Sequence, residues 1–168
     1  FLHENDYIHR DLKPANIFED EFLFPRIGDF GLGKHISNGG HSTDSLFGFK
    51  GTLLYSPPET IDNYRHYSKA GDVYAFGMIA YQLITNLSPF EECGNLAIIK
   101  KILNGERPGF PFPIPKCYEN LINKCWSQNE FERPSFEEIV HMLKDDKSFI
   151  TNTVDEVEFF DYVHFIEN

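Results

Sequence analysis

The 168-residue chain is 41% hydrophobic and 24% charged, ordinary proportions for a globular protein with a real core. A formal net charge of −11 argues against nucleic acid or anionic membrane as the main partner, because both demand clustered Lys and Arg; a local basic pocket for phosphate stays compatible. Three cysteines, Cys93, Cys117 and Cys125, are too few and too odd in number for a disulfide framework, and they predict a reducing, cytoplasmic setting. No targeting segment is visible, and a first residue of Phe1 rather than Met predicts a start inside a longer or processed chain.

In chain order, Phe1 to Tyr7 reads as the frayed end of a helix, broken by Asn5-Asp6. Ile8-His9-Arg10-Asp11-Leu12-Lys13-Pro14-Ala15-Asn16 then gathers an acid, a base, an amide and an imidazole. A carboxylate followed five residues later by an amide suits a loop that holds a hydroxyl on one side and a metal ion on the other. Asn16-Ile17-Phe18 reads as a short strand, Glu19-Asp20-Glu21 as a polar turn, and Leu23 to Ile27 as the returning strand. This hairpin delivers Gly28-Asp29-Phe30-Gly31 close to the loop. Alone, Asp29-Phe30-Gly31 has the bland reading of a hairpin exit. Thirteen residues after Asn16, its carboxylate could share a cation with that amide, since Mg²⁺ takes hard oxygen ligands from few protein groups plus phosphates.

The H-R-D-x-x-x-x-N spacing of His9 to Asn16, followed by D-F-G across a hairpin, resembles the protein kinase family. The resemblance implies ATP and Mg²⁺ as cofactors and a protein Ser or Thr as substrate. It makes Asp11 the group that orients and deprotonates the substrate hydroxyl, with Lys13 on the γ-phosphate and Asn16 and Asp29 on Mg²⁺. His9, Phe30 and Gly31 are then structural members of the two motifs.

Leu32 to Tyr55 shows little periodicity and carries Gly39-Gly40 and several serines. So long a loop inside a compact domain is usually functional or disordered. By resemblance it belongs to the activation segment, from Asp29 to Glu59. Ser42, Thr43 and Ser45 are its candidate phosphate acceptors, for an upstream kinase or for autophosphorylation, and Arg10 could pair with such a phosphate. The alternative is that these hydroxyls are merely solvated. Pro57-Pro58-Glu59 stands where the family usually has A-P-E, departing at the first position. Resemblance further implies that Thr52 lies near Asp11 and Lys13, and that Glu59 pairs with Arg133.

Ser68 caps a helix running to about Asn86, where Leu87-Ser88-Pro89 ends it. Val73 to Ile84 is apolar at almost every position, too short for a bilayer span and interrupted by Gln82, so the helix belongs in the middle of the domain. Asp72 reads either as a first-turn carboxylate favoured by the helix dipole or, by resemblance, as an anchor for the His9-Arg10 backbone. Three helices follow. Leu96, Ile99, Ile102 and Leu103 stripe the first; Tyr118, Leu121, Ile122, Cys125 and Trp126 stripe the second. Ser135 to Glu138 forms a capping box for the third, with Phe136, Ile139, Val140 and Leu143 as its buried face.

Cys125-Trp126 to Arg133-Pro134-Ser135-Phe136 resembles a region shared by tyrosine kinases and tyrosine-kinase-like Ser/Thr kinases, without the residue that usually separates Cys and Trp. Lys13, two residues after Asp11, with Ala15 rather than Arg before Asn16, resembles the Ser/Thr type. The expectation is an α+β, mostly α-helical fold: the C-terminal lobe of the protein kinase-like fold with a small catalytic-loop β-hairpin, over residues 1–146. Residues 147–168 form an acidic tail whose last helix, capped by Thr153 to Glu156, would carry Phe159, Tyr162, Val163 and Ile166 on one face. That face either packs on the domain or serves as a docking surface.

The sequence carries no G-x-G-x-x-G loop and no strand Lys of the V-A-I-K type, so the chain alone is expected neither to bind ATP tightly nor to turn over. Asp11→Asn is expected nearly to abolish transfer by the full-length enzyme while leaving fold stability almost unchanged. A catalytically silent kinase-like scaffold is the alternative, weakened by the presence together of Asp11, Lys13, Asn16 and Asp29.

Overall fold

A computed structural model of the chain describes residues 1–36, 52–152 and 154–167. Ser42, Thr43, Ser45 and Thr153 lie outside the described residues. The architecture is α+β and mainly helical, with two small antiparallel sheets.

The organising element is α2, Lys69–Thr85. Ser68 starts it: its Oγ accepts the amide of Gly71 at 3.2 Å. Asn86 ends it in the left-handed region, φ 55°, its amide reaching back to the Gln82 carbonyl at 2.8 Å. Three apolar clusters form on its different sides. Tyr74, Met78 and Tyr81 meet Ile98, Ile102, Ile122 and Trp126. Val73 meets Leu121, Cys125, Ile139 and Phe149, while Ala75 and Ile79 meet Leu12. Apolar residues all round the helix are therefore the signature of a central position, not of a membrane. Among the described residues no helix is long and apolar enough to cross one.

Around it pack α1 (Pro58–Asp62), α3 (Asn95–Leu103), α4 (Lys116–Cys125) and α5 (Phe136–Asp145). The α4 stripe buries Leu121, Ile122, Cys125 and Trp126. Burial also pushes the Cys125 thiol up to about 12, which keeps it protonated and inert at neutral pH. The capping box of α5 is complete, Ser135 Oγ accepting the Glu138 amide at 3.1 Å and Glu138 Oε2 accepting the Ser135 amide at 2.7 Å.

Two of the expected stripes need correction. In α3 the buried pair is Ile98 and Ile102, whereas Leu96 and Leu103 are exposed. In α5 Val140 is exposed and Met142 packs inward with Phe136 and Leu143. Both helices bury a narrow seam, and four apolar residues within one turn or two offer more than one seam.

The amino end also differs from a helix end. Residues 2–6 form turns closed by the Asn5 amide on the Phe1 carbonyl at 3.1 Å, and Asp6 at φ 54° leads into strand β1, Tyr7–Ile8. β1 pairs with β4, Lys34–His35, in a two-residue ladder too short to leave any periodicity in sequence. The expected hairpin is present as β2 (Ile17–Glu19) and β3 (Pro25–Ile27), with Ile17 opposite Ile27 and Phe18 opposite Arg26. Its turn is longer than expected. Asp20 Oδ1 accepts the amides of Phe22 and Phe24 at 2.9 and 3.0 Å, which holds Leu23 at φ 64° outside the strand.

After α5, Phe149 is buried against Tyr118, and α6 (Glu156–Glu167) returns to the hairpin. Asp155 caps it, Oδ1 accepting the Val157 and Glu158 amides at 2.8 and 3.1 Å. Phe159 and Val163 are half-buried, but Ile166 is exposed, and Phe165 rather than Ile166 stacks on the hairpin.

Gly77 marks the crossing of α2 and α4, where a Cβ would lie 2.9 Å from Cys125 Cβ and 3.3 Å from the backbone nitrogen of Trp126. A helical Ala normally gains about 1 kcal/mol over Gly. Overpacking of about 1–3 kcal/mol against a backbone that cannot yield outweighs it. Gly77→Ala should lower the urea midpoint by a net loss of about 1 kcal/mol; an unchanged or raised midpoint would show that the helices can part at this crossing.

Candidate active site

The site is hung from Asp72 in the first turn of α2. Its carboxylate is 4% exposed and accepts the His9 amide (2.9 Å, Oδ2), the Arg10 amide (2.9 Å, Oδ1) and His3 Nε2 (2.8 Å, Oδ2). A carboxylate this buried is tolerable only with such donors. They also fix Arg10 at φ 72°, a conformation that turns the chain sharply into Asp11.

From this turn His9 reaches across the site. Its Nε2 lies 2.9 Å from the Gly28 carbonyl and its Nδ1 3.4 Å from the Asp11 amide. Both contacts are satisfied by the neutral tautomer with the proton on Nε2. The ring also packs on Phe30, 5.3 Å between centroids, and Phe30 meets Tyr7 at 6.0 Å. Hence one imidazole spaces the Asp11 loop from the Gly28-Asp29-Phe30 turn. Asp29 sits at φ 56° and its Oδ1 accepts the Gly31 amide at 3.4 Å, with Phe30–Leu32 forming a 3₁₀ turn.

At the centre Asp11 accepts four contacts. Oδ1 takes the Thr52 amide at 3.0 Å and its hydroxyl at 3.2 Å; Oδ2 takes Lys13 Nζ at 2.7 Å and Asn16 Nδ2 at 3.3 Å. Lys13 Nζ also donates to Thr52 Oγ1 at 3.0 Å. Thr52 thus ties the stretch before α1 to the Asp11 loop, 41 residues away in sequence. Asn16 is buried and its Nδ2 also donates to the Asp11 carbonyl at 2.8 Å. With the amide nitrogen used twice on Asp11, the side-chain oxygen is the group left for a cation. That oxygen and the exposed Asp29 carboxylate are the hard donors that Mg²⁺ takes beside phosphate oxygens, so the residues present fit the ion.

Two supports lie further out. Arg133 grips Glu59 with two nitrogens, 2.7 and 2.8 Å, and donates also to the carbonyls of Ala70 (3.0 Å) and Ser127 (3.0 Å). Its guanidinium lies 5.1 Å from the ring of Tyr74, as does that of Arg107 from the same ring. Burial drives the Tyr74 phenol far above its ordinary range, so it stays neutral between the two cations. Arg10 holds its guanidinium 3.9 Å over the ring of Tyr67. The hydroxyls expected to meet Arg10 after phosphorylation, Ser42, Thr43 and Ser45, lie outside the described residues.

The structure therefore gathers Asp11, Lys13, Asn16 and Thr52 in one cluster, with His9, Asp29, Phe30 and Gly31 beside it. Glu59, Asp72 and Arg133 lie in the scaffold behind. Sequence reasoning missed His3 and Tyr67. Neither belongs to a local pattern; each is set by a partner 69 or, for the Arg10 stack, 57 positions away.

A family model described as "Protein kinase domain" matches residues 1–143. The chain is 38% identical over 152 residues to a dual specificity protein kinase of Dictyostelium discoideum, covering 86% of this chain and 28% of that protein. A second dual specificity protein kinase of the same organism is 38% identical over 143 residues, covering 82% of this chain and 19% of its own length. An RGS domain-containing serine/threonine-protein kinase of D. discoideum is 35% identical over 144 residues, covering 86% and 12%. The chain thus spans less than a third of these relatives. With the match extending across the Asp11 loop, the Asp29 turn and the helices that carry them, this chain belongs to the protein kinase domain family.

Proposed function

We propose that the protein transfers the γ-phosphoryl group of ATP to a Ser or Thr hydroxyl of a protein substrate, as a signalling kinase of the tyrosine-kinase-like group. The observation that carries this is the cluster of Asp11, Lys13, Asn16 and Thr52 around one carboxylate. Family membership supplies the reaction class; Lys13 beside Asp11 and the Cys125-Trp126 to Phe136 segment favour the narrower reading.

The substrate hydroxyl binds Asp11 in place of the longer contacts from Thr52 Oγ1 and Asn16 Nδ2, at 3.2 and 3.3 Å. Asp11 orients the oxygen and takes its proton as the new P–O bond forms and the bond to ADP breaks. Lys13, held between Asp11 and Thr52, brings an ammonium to the charge on the phosphoryl oxygens. Asn16 and Asp29 would hold Mg²⁺, which supplies positive charge to the nucleotide phosphates. Positioning and electrostatics carry the rate, since phosphoryl transfer asks little covalent chemistry of the protein.

The ATP cradle is proposed to come from parts of the full protein beyond these 168 residues, because the sequence holds no glycine-rich loop of the G-x-G-x-x-G form. The cytoplasmic setting rests on three cysteines whose thiols are all free. Ser42, Thr43 and Ser45 are the proposed sites of activation by an upstream kinase or by autophosphorylation, with Arg10 as the receiving cation. Two relatives carry dual specificity in their names, so a Tyr peptide belongs in the assay beside Ser and Thr peptides.

Asp11→Asn in the full-length protein should lower transfer to the Ser and Thr peptides by roughly 10²–10⁴-fold. Wild-type turnover in this variant refutes the assignment, and no transfer by the unmodified full-length protein favours the scaffold reading. The expectation of unchanged stability is revised by the contacts. An Asn must turn an NH₂ toward either Thr52 or the Lys13–Asn16 side, both of which are donors. Lys13 can swing to water, so the cost should be about 1 kcal/mol in chemical denaturation. Titration calorimetry of the isolated 168-residue chain, its folding checked by circular dichroism, should show no micromolar ATP binding. A micromolar Kd would place the cradle within this chain.

A further inference from the structure

We propose that Phe24 and Phe165 are positioning residues for the metal-holding pair. In this arrangement α6 clamps the β2–β3 hairpin and thereby sets the spacing of Asn16 and Asp29. The inference rests on the reading of those two residues as Mg²⁺ ligands.

The hairpin is the least supported element of the site. Its strands are three residues each, and an isolated two-stranded hairpin is marginal in water. Phe18, Phe22, Leu23 and Ile27 are all exposed. Within residues 21–27 only Phe24 is partly buried; its ring is stacked on Phe165 of α6 at 4.9 Å and 22°, lies 5.5 Å from Tyr162, and meets Phe22 of its own turn at 6.5 Å. Phe24 is rigidly joined to the turn, its amide on Asp20 Oδ1 at 3.0 Å and its carbonyl taking the Asp20 amide at 3.0 Å.

The other end of the hairpin is the metal-holding pair. Asn16 directly precedes β2, Asp29 follows β3 by two residues, and the Gly28 amide bonds the Asn16 carbonyl at 2.9 Å across the base. Twist of the hairpin therefore acts on the separation of the two side chains beside the contacts that hold Gly28 to His9 and Asn16 to Asp11. Asp155 caps the first turn of α6, and an exposed ion pair, Lys147 Nζ on Glu156 Oε1 at 3.3 Å, links it to the turn that precedes it. α6 lies beyond the residues matched by the family model, 1–143.

The test compares full-length wild type, Phe165→Ala and Phe165→Tyr. Hydrogen–deuterium exchange of the peptide spanning residues 17–29 should quicken about fivefold in Phe165→Ala, the size expected for one lost aromatic pair. The Mg²⁺ concentration for half-maximal transfer should rise by a similar factor, with the KM for peptide unchanged. Phe165→Tyr, which keeps the ring, should restore both. The clamp is overturned if Phe165→Ala lowers only the melting temperature, leaving exchange at 17–29 and Mg²⁺ dependence as in wild type. Exchange that quickens with no change in Mg²⁺ dependence also overturns it, since the hairpin would then not set the pair. Should the wild type show no transfer at all, the kinase reading fails by itself, and exchange alone decides whether α6 holds the hairpin.

Discussion

A single buried carboxylate governs the geometry of the site. Asp72 is carried into the interior by the most deeply packed helix of the domain, and there it needs hydrogen-bond donors. The donors within reach are the backbone amides of His9 and Arg10 and the ring of His3. Satisfying Asp72 therefore imposes the turn: Arg10 accepts a left-handed backbone, costing on the order of 1 kcal/mol, because two amides gain a charged acceptor. Asp11 is the next residue and inherits its position. Through the His9 ring and the Gly28 carbonyl, the Asp29 turn inherits its position too.

The Glu59–Arg133 pair does a different kind of work. The Arg133 side chain is fully enclosed and uses its donors on one carboxylate and two carbonyls, so removal of Glu59 would strand a charge in the interior. Such a pair adds little net stability over an apolar replacement, yet its fixed fork geometry specifies where α1 meets the loop before α5. Because α1 follows Thr52 by only a few residues, the pair also locates the donor end of the Asp11 cluster. Asp72 lies in the first turn of α2 and Arg133 bonds the Ala70 carbonyl of the same turn, so the Asp11 loop and the Glu59 helix both refer to the start of one helix.

What could be read from sequence follows from how local each feature is. The Asp11 loop, the Asp29 turn, the Ser68 cap and the Ser135–Glu138 box are encoded within a few residues, and the structure places them where those residues suggest. The central helix was legible through its uniform apolarity. The seams of α3 and α5 were not: Leu96 and Val140 are as apolar as their buried neighbours, and only the positions of α2 and the loops decide which face turns inward. His3 on Asp72, Tyr67 under Arg10 and the β1–β4 pair are long-range events on ordinary residues. Around the site, the Asp72 anchor and the Glu59–Arg133 pair were anticipated by resemblance, whereas His3 and Tyr67 were not.

The crowding around Asp11 bears on how the proposed reaction proceeds. A carboxylate that accepts from Lys13, Asn16 and Thr52 has its negative charge spread over strong donors. These contacts fix both oxygens of the carboxylate in place. It is well suited to hold a hydroxyl in line and to take the proton late, once the oxygen has begun to bond phosphorus and become acidic. In the proposed reaction Lys13, held by Thr52 at 3.0 Å as well as by Asp11 at 2.7 Å, is the cation offered to the phosphoryl group. In the proposed reaction the base acts through where it is held, and from Asp72 outward the fold fixes where Asp11 stands.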